Sequence, residues 1–198
     1  LTVHPDDFAR QMRWMRFLGY RGLSMRDVMP YVRGERRGKV FGITFDDGYR
    51  NVVQNAMPVL DKLGFTATNY LVANQFDGGN VWDAKIGIPH SPLMTVEEMR
   101  QWAAAGHEVG SHTLDHVHLP EMTPDEARRQ MVESKDVLEQ ALGARREVGG
   151  IGRQVFLVHD LGLLERALEG LDAVAPERVV LRQHGDGRAR LVERHCVG

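Results

Sequence analysis

Apolar residues occur along most of the chain in two patterns, at helical intervals and in short continuous runs. Phe8, Met12, Met15 and Leu18 follow one another at helical intervals, which predicts an amphipathic helix over residues 5–18. Similar periodicity, together with capping signals such as a threonine three positions before a glutamate, predicts further helices. These span residues 24–32, 51–63, 95–105 and 123–142.

Short apolar runs that are rich in β-branched residues lie between these helices and predict strands. They span residues 39–45, 65–72 and 106–112, whereas residues 74–92 are rich in Gly, Asn and Pro and predict a long loop. Strands that alternate with helices indicate βα units and a parallel sheet, so we expect an α/β fold. In such folds the reactive side chains lie at the carboxyl ends of the strands.

Composition narrows the class of protein without identifying a function. The 198 residues carry a formal net charge of −2, which does not support binding to nucleic acid or to an anionic membrane surface. Cys196 is the single cysteine, which excludes a disulfide framework and a zinc site built from several cysteines. No apolar run is long enough to span a membrane.

The source and the compartment are less constrained. Arg greatly outnumbers Lys, which is typical of a GC-rich source and is compatible with a bacterial one. No secretory leader is recognised, but the chain opens on Leu1 rather than Met, so the cytoplasm and the cell envelope both stay open. The oligomeric state is unknown.

Two adjacent carboxylates follow the strand predicted over residues 39–45. Asp46 and Asp47 precede Gly48, and an Asp-Gly pair at a strand end is most often a turn. A catalytic interpretation gains support because the preceding strand is predicted to be buried and because a histidine pair lies further along the chain. One carboxylate could then bind a divalent metal while its neighbour acts as a base.

The histidine pair consists of His112 and His116, at the end of another predicted strand. If one turn joins them, both imidazole rings can point to the same side. Three protein ligands and an open position are typical of a catalytic zinc site, and Asp47 with these two histidines would supply the ligands. His107 and His118 are nearby alternatives, which we interpret as hydrogen-bonded or surface residues.

Two short motifs therefore occur in a fixed order along the chain. They are Thr-Phe-Asp-Asp-Gly over residues 44–48 and Ser-His-Thr-x-x-His over residues 111–116. Motifs and surroundings resemble the NodB-homology polysaccharide deacetylases over residues 2–147, and we expect residues 1–198 to form one such domain with a divergent tail over residues 148–198. The resemblance implies a distorted (β/α) barrel of about seven strands, with an atypical or incomplete C-terminal part.

The resemblance also implies roles for individual residues. Asp46 matches the catalytic base of the family and Asp47 its metal-binding carboxylate, while His112 and His116 match the two metal-binding histidines. The implied metal is zinc, with cobalt or nickel as alternatives. The implied reaction removes acetyl groups from N-acetylated, or O-acetylated, sugars of a polysaccharide or glycan, which is the expected partner. Trp82, in the predicted loop, could stack against a sugar ring or anchor that loop.

The tail departs from the family pattern. Where the family has an aromatic-Pro-x-Gly motif, residues 148–153 contain no proline. Leu157-Val158-His159 is similar to a later motif whose histidine acts as general acid, but it comes too early, so an ordinary strand-end histidine is the favoured interpretation. We also expect a helix over residues 161–171, a strand over residues 178–181 and poor order in the final 15 residues.

Several explanations stay open at this point. The tail could close the barrel differently, result from an altered reading frame, or mark a relative that has lost activity. The leading function is glycan de-N-acetylation; the alternatives are a catalytically impaired glycan-binding relative and another metal hydrolase, such as an esterase or phosphodiesterase. The presence of Asp46, Asp47, His112 and His116 favours the enzyme, because a binding module needs no base beside a metal ligand.

Overall fold

The computed structural model of the chain describes residues 3–143, 148–149 and 179–181. Its α-helices are α1 Pro5–Phe17, α2 Met25–Val32, α3 Met57–Leu63, α4 Val96–Ala104 and α5 Pro124–Leu142. Its strands are β1 Arg21–Leu23, β2 Val40–Phe45, β3 Thr68–Leu71, β4 Glu108–Ser111, β5 Val148–Gly149 and β6 Val179–Leu181. Shorter helical turns cover Val52–Ala56, Val81–Ile86 and Leu119–Glu121.

The described strands form one parallel sheet. Their order is β1-β2-β3-β4-β5, and β6 pairs with β2. This arrangement confirms the α/β class that the alternation of strands and helices predicts. Phe45 of β2 lies opposite Asn69 of β3, which in turn lies opposite Val109 of β4. The segments that follow β2 and β4 therefore leave the sheet at the same edge.

Side-chain caps begin three of the helices at the predicted positions. Ser24 caps α2, and Thr123 caps α5, each through a side-chain oxygen that accepts a backbone N–H of the first turn. Thr95 and Glu98 form a reciprocal capping box at the start of α4. These local bonds fix where each helix begins, and so they fix the length of the loop before it.

The helix predicted over residues 51–63 is divided in the structure. A π-helical turn covers Val52–Ala56, and at its end the Met57 N–H donates to the Val52 carbonyl. Pro58 has no N–H to donate to the carbonyl four residues earlier, which explains why the regular helix α3 begins only at this point.

The strand β1 is not predicted from the sequence, because three residues are too few to show a period. At its centre, a Cβ on Gly22 would lie 2.5 Å from Cδ1 of Ile43 and 2.9 Å from Cδ2 of Phe65. Glycine therefore permits the close approach of β1 to its neighbours. The predicted strand over residues 178–181 corresponds to β6, whereas the predicted helix over residues 161–171 and the final 15 residues lie outside the described residues.

In the described residues a large apolar cluster packs most of the helices against the sheet, and a smaller one of Leu23, Val28 and Val40 packs α2. Trp102 of α4 is fully buried in the large cluster, with Phe41, Leu60 and Phe65. The Trp102 indole N–H donates to the backbone carbonyl of Glu108 at 2.8 Å, so the ring also fixes the start of β4. Within the described residues, no helix combines the length and the apolar character that crossing a bilayer requires.

Candidate metal centre

The turn after β2 carries the two predicted carboxylates. Asp46 and Asp47 are half-buried there, at the carboxyl edge of the sheet. Asp47 has a φ of 72°, and Gly48 continues the turn with a φ of 80°. A Cβ on Gly48 would lie 3.0 Å from Cγ of Leu71 in β3, so glycine lets this turn lie against the neighbouring strand.

The segment after β4 carries the two predicted histidines. The His112 N–H donates to the Leu71 carbonyl at 2.9 Å, and the Thr113 carbonyl accepts the Ala73 N–H at 3.1 Å. Thr113 and His116 have φ values of 68° and 58°. This left-handed backbone is uncommon for residues with a Cβ, and especially for a β-branched one. Both imidazole rings face the turn after β2.

The two segments bring three donor atoms together. Oδ1 of Asp47 lies 3.3 Å from Nε2 of His112 and 3.1 Å from Nε2 of His116. Within the described part of the chain, these three residues form the one group of donors spaced to hold a metal ion. In a tetrahedral site with bonds of roughly 2.0–2.1 Å, neighbouring donor atoms lie roughly 3.3–3.4 Å apart. Donor chemistry and spacing therefore fit zinc or a similar divalent metal.

The candidate centre is enclosed on the side of the carboxylate and open on the side of the rings. The Asp47 side chain is 15% exposed, whereas His112 and His116 are 31% and 30% exposed. Asp46 directly precedes the carboxylate of this group and does not belong to its set of donor atoms. Water and a substrate could thus approach the ring edges, as a catalytic site requires.

Gln130 of α5 holds the backbone between the two histidines. Its buried side-chain oxygen accepts the N–H groups of Leu114 at 3.0 Å and Asp115 at 3.2 Å. Its amide group donates to Oδ2 of Asp115 at 2.7 Å. Asn74, just after β3, donates to Oδ1 of the same carboxylate at 2.7 Å. The histidine segment is therefore fixed from two sides.

Trp82 packs directly on one of the two histidines. Its ring is stacked on the His116 imidazole, with centroids 4.3 Å apart and planes 18° apart. The ring belongs to the short helical turn Val81–Ile86, inside the segment that the sequence predicts as a loop. The sequence allows sugar stacking or a loop anchor for Trp82; in the structure the half-buried ring lies against His116.

Asp83, the residue after Trp82, contacts the turn after β2. Its Oδ2 accepts the Tyr49 hydroxyl at 3.2 Å and the Asn80 amide at 2.9 Å. Burial raises the pKa of Tyr49 well above its usual value, and the charges of Asp47 and Asp83 raise it further. The Tyr49 hydroxyl therefore keeps its proton and donates to Asp83 throughout the neutral pH range.

His107 and His118 lie away from the centre, in agreement with their interpretation from the sequence. His107 is buried; Nδ1 accepts the Ala67 N–H at 3.2 Å, and Nε2 lies 3.1 Å from Oδ1 of Asp61. Burial lowers the pKa of His107, while Asp61 opposes the shift. The imidazole is therefore a neutral structural group. His118 is exposed on the surface.

Sequence motifs identify the donors but not the residues that hold them. Trp82 gives no local signal, because its contact with His116 depends on the fold. Gln130 does give a weak one, since it lies with Ser134 on the buried face of α5, where a polar residue needs a partner. His159, the alternative general acid, lies outside the described residues.

Comparison with known proteins identifies the family to which the chain is similar. A family model for polysaccharide deacetylases matches residues 33–149. A protein of Bacillus subtilis (strain 168) named as a polysaccharide deacetylase, YxkH, is 30% identical over 141 residues, which cover 70% of this chain and 46% of that protein. The poly-β-1,6-N-acetyl-D-glucosamine N-deacetylase of Staphylococcus epidermidis is 25% identical over 114 residues, 57% of this chain and 39% of that protein. The chain spans less than half the length of these two relatives.

Solved structures show the same fold. The Streptococcus pyogenes deacetylase PplD in complex with acetate has a TM-score of 0.61 and 24% identity, with 84% of this chain and 69% of that chain covered. IcaB from Ammonifex degensii has a TM-score of 0.60 and 22% identity, with coverage of 73% and 64%. The match to the family model spans both motifs, and the sequence similarity extends over most of the described residues. The chain belongs to the polysaccharide deacetylase family.

Proposed function

We propose that this chain is a metal-dependent hydrolase that removes acetyl groups from N-acetylated sugars of a polysaccharide or glycan. The observation that carries the proposal is the meeting of Asp47, His112 and His116 beside Asp46 at one edge of the sheet. The name of the Staphylococcus epidermidis relative supports a polymer of N-acetylated glucosamine as the substrate class. O-acetylated sugars fit the same chemistry, because water would attack the same acetyl carbonyl.

Three residues are assigned to hold the metal. Asp47, His112 and His116 offer one carboxylate oxygen and two imidazole nitrogens, a donor set typical of catalytic zinc sites. Zinc is the favoured ion, with cobalt or nickel as alternatives. A divalent metal bound there would polarise the acetyl carbonyl and lower the pKa of water from about 15.7 to about 7.

Asp46 is assigned as the general base. It is the neighbour of Asp47 in the turn after β2 and is not one of the three candidate donors. Asp46 takes a proton from the water whose oxygen attacks the acetyl carbon. The C–N bond then breaks, acetate leaves, and the nitrogen takes up a proton to give the sugar amine. Each acetyl group removed consumes one water molecule.

We also infer the architecture around this centre. Residues 1–198 are proposed to form a single domain that includes the tail over residues 148–198, with a distorted barrel of about seven strands. Six parallel strands in the described residues and the similarity to PplD and IcaB support this proposal. No role is assigned to His159.

A catalytically impaired glycan-binding relative is the second candidate. The observation in its favour is the absence of proline over residues 148–153, where the resemblance implies an aromatic-Pro-x-Gly motif. The donor set and the adjacent Asp46 favour the enzyme, because binding a glycan requires neither.

Zinc titration of metal-stripped protein, followed by calorimetry, tests the metal assignment. We expect one zinc ion per chain, and His112→Ala should abolish binding because it removes one of three ligands. His118→Ala is the matched control, since it removes an exposed histidine outside the centre. Wild-type protein that binds no zinc, and no cobalt or nickel in the same titration, would contradict a metal-dependent function.

Acetate release from N-acetylglucosamine oligomers separates the enzyme from the binding relative. The zinc-loaded protein should release acetate, and Asp46→Asn should lower kcat by about 10²–10⁴-fold. The zinc Kd of that variant should stay close to the wild-type value, because Asp46 is not assigned as a ligand. A zinc-loaded protein that binds the oligomer and releases no acetate would favour the second candidate. Phosphate release from a phosphodiester would instead favour a different hydrolase.

A further inference from the structure

Two neighbouring residues between β3 and α4 contact the two segments that meet at the candidate centre. The Trp82 ring stacks on His116, and the Asp83 carboxylate accepts a hydrogen bond from Tyr49, two residues after Asp47. We propose that Trp82 and Asp83 act together as positioning residues that keep the His116 imidazole aligned with the Asp47 carboxylate. The proposal rests on the metal-binding part of the proposed function.

The segment that carries this dipeptide is firmly anchored. Asn80 is buried, and its side-chain oxygen accepts the Ser91 N–H at 2.7 Å. Its amide group donates to Oδ2 of Asp83 at 2.9 Å and to the Pro89 carbonyl at 3.3 Å. A single buried side chain thus joins the start and the end of the segment and orients Asp83.

The same segment is joined to the turn after β2 by its backbone. Tyr49 and Leu93 form an antiparallel bridge, and the Gly48 carbonyl accepts the Met94 N–H at 2.9 Å. The Asp47 turn and the Trp82 segment therefore form one hydrogen-bonded unit. Through the stacked ring, that unit includes His116.

Stacking on Trp82 limits the rotation of the His116 ring. The planes are nearly parallel, and the centroid distance of 4.3 Å allows contact over much of the imidazole face. A partly exposed imidazole without such a neighbour would occupy several rotamers, and metal binding would have to select one of them. Holding the ring before binding removes that entropic cost from the metal affinity.

Zinc affinity tests the contribution of Trp82. Trp82→Leu should raise the zinc Kd by about 10–100-fold, which is the usual effect of losing a residue that orients a metal ligand. Trp82→Phe keeps an aromatic ring against His116 and should return the Kd to within about threefold of the wild-type value. Trp14→Leu removes an exposed tryptophan from α1, outside the centre, and should leave the Kd unchanged.

Tyr49→Phe tests the contribution of Asp83, because it removes only the hydroxyl that donates to this carboxylate. We expect the zinc Kd to rise by about 3–10-fold, which corresponds to the loss of one hydrogen bond. Tyr31→Phe is the control, since that hydroxyl contacts Arg21 away from the centre. In the double variant Tyr49→Phe/Trp82→Leu, the effects should combine to less than their product, because both act through one dipeptide.

NMR of the metal-free protein gives a second readout that does not depend on zinc. The ring signals of His116 should carry a ring-current shift from Trp82, and Trp82→Leu should remove it. Tyr49→Phe should move the same signals part of the way, because the dipeptide loses its link to the Asp47 turn. Tyr31→Phe should leave them in place.

Three results would overturn the proposal. They are a zinc Kd for Trp82→Leu within about twofold of the wild-type value, His116 ring signals that Trp82→Leu does not move, and fully multiplicative effects in the double variant. Wild-type protein that binds no zinc, cobalt or nickel would contradict the proposed function instead. The ring signals of His116 would then be the test of whether Trp82 and Asp83 align the His116 ring.

Discussion

Backbone strain is concentrated in the residues of the candidate centre. Among the described residues, the non-glycine residues with positive φ are Asp47, Asp77, Thr113 and His116. Such conformations cost roughly 1–3 kcal/mol each and persist only where surrounding contacts fix them. Three of these four residues belong to the two segments that meet at the donor atoms. The folded chain therefore stores strain where the metal is expected to bind.

Replacing Asp47 by glycine should release part of this strain. The free energy of unfolding of the Asp47→Gly variant should be about 0.5–1 kcal/mol higher than that of the Asp47→Ala variant. Glycine adopts a positive φ without a Cβ clash, whereas alanine does not. Both variants lack the carboxylate, so both should lose zinc binding. Urea denaturation of the metal-free variants at one pH measures the difference. Equal stability of the two variants would show that no strain is stored at this position.

The lowered pKa of His107 predicts that the folded protein is less stable in mild acid. Because burial lowers its pKa, the unfolded chain takes up a proton at a higher pH than the folded chain does. The stabilisation by neutral His107 is thus complete above about pH 6.5 and is lost as the pH falls toward the folded pKa. His107→Asn keeps an acceptor for the Ala67 N–H but does not titrate, so its Tm should depend less on pH. Parallel Tm profiles for the two proteins would contradict this assignment.

The helices and central strands are predicted from the sequence because their signals are local. The Thr95–Glu98 capping box lies within three residues, and β2 is a short run in which four of six residues are large and apolar. The donors of the centre are predicted for the same reason, since each motif is a short run. β1 is not predicted, because its existence depends on packing around Gly22. The contacts of Trp82 and Gln130 likewise depend on the folded chain, and only Gln130 gives a weak signal in the sequence.

Gln130 of α5 should influence both stability and metal affinity. Gln130→Leu leaves the N–H groups of Leu114 and Asp115 without their acceptor, so we expect the free energy of unfolding to fall by about 2–4 kcal/mol. The zinc Kd should rise by about 10–100-fold, because the histidine segment loses its anchor. Chemical denaturation and calorimetry measure the two effects.

Ser134→Ala is the matched control for this substitution. Ser134 also belongs to the buried face of α5, but its hydroxyl contacts Ser111 of β4 rather than the segment between the histidines. Its loss should lower stability and leave the zinc Kd unchanged. A similar rise in Kd for both variants would mean that general destabilisation, not the anchor, controls metal affinity.

Metal binding should report on the assembly of the whole domain. The segments that carry Asp47 and the two histidines are separated by α3, β3, α4 and β4, and they meet only because the parallel sheet places their strand ends at one edge. The α/β class of that sheet is predictable from the alternation of strands and helices in the sequence. A ligand that needs both segments binds the folded chain in preference to the unfolded one.

Zinc should therefore raise the thermal stability of the protein. At a free zinc concentration about 100 times the Kd, the expected stabilisation is about 2.7 kcal/mol, or about 5–10 °C in Tm for a chain of this size. Scanning calorimetry with zinc and with excess chelator measures the shift, and His112→Ala should show none. An unchanged Tm despite measurable zinc binding would mean that the unfolded chain binds zinc equally well.

The spacing of the donor atoms should also determine the metal selectivity of the candidate centre. Donors held 3.1–3.3 Å apart suit short bonds, whereas calcium forms bonds of roughly 2.3–2.6 Å to about six to eight oxygen atoms. Two of the three donors are imidazole nitrogens, which calcium and magnesium bind poorly. An excess of either ion should therefore leave the centre open to zinc. The discrimination is a property of the folded chain itself, so it would hold in surroundings where hard cations are far more abundant than transition metals.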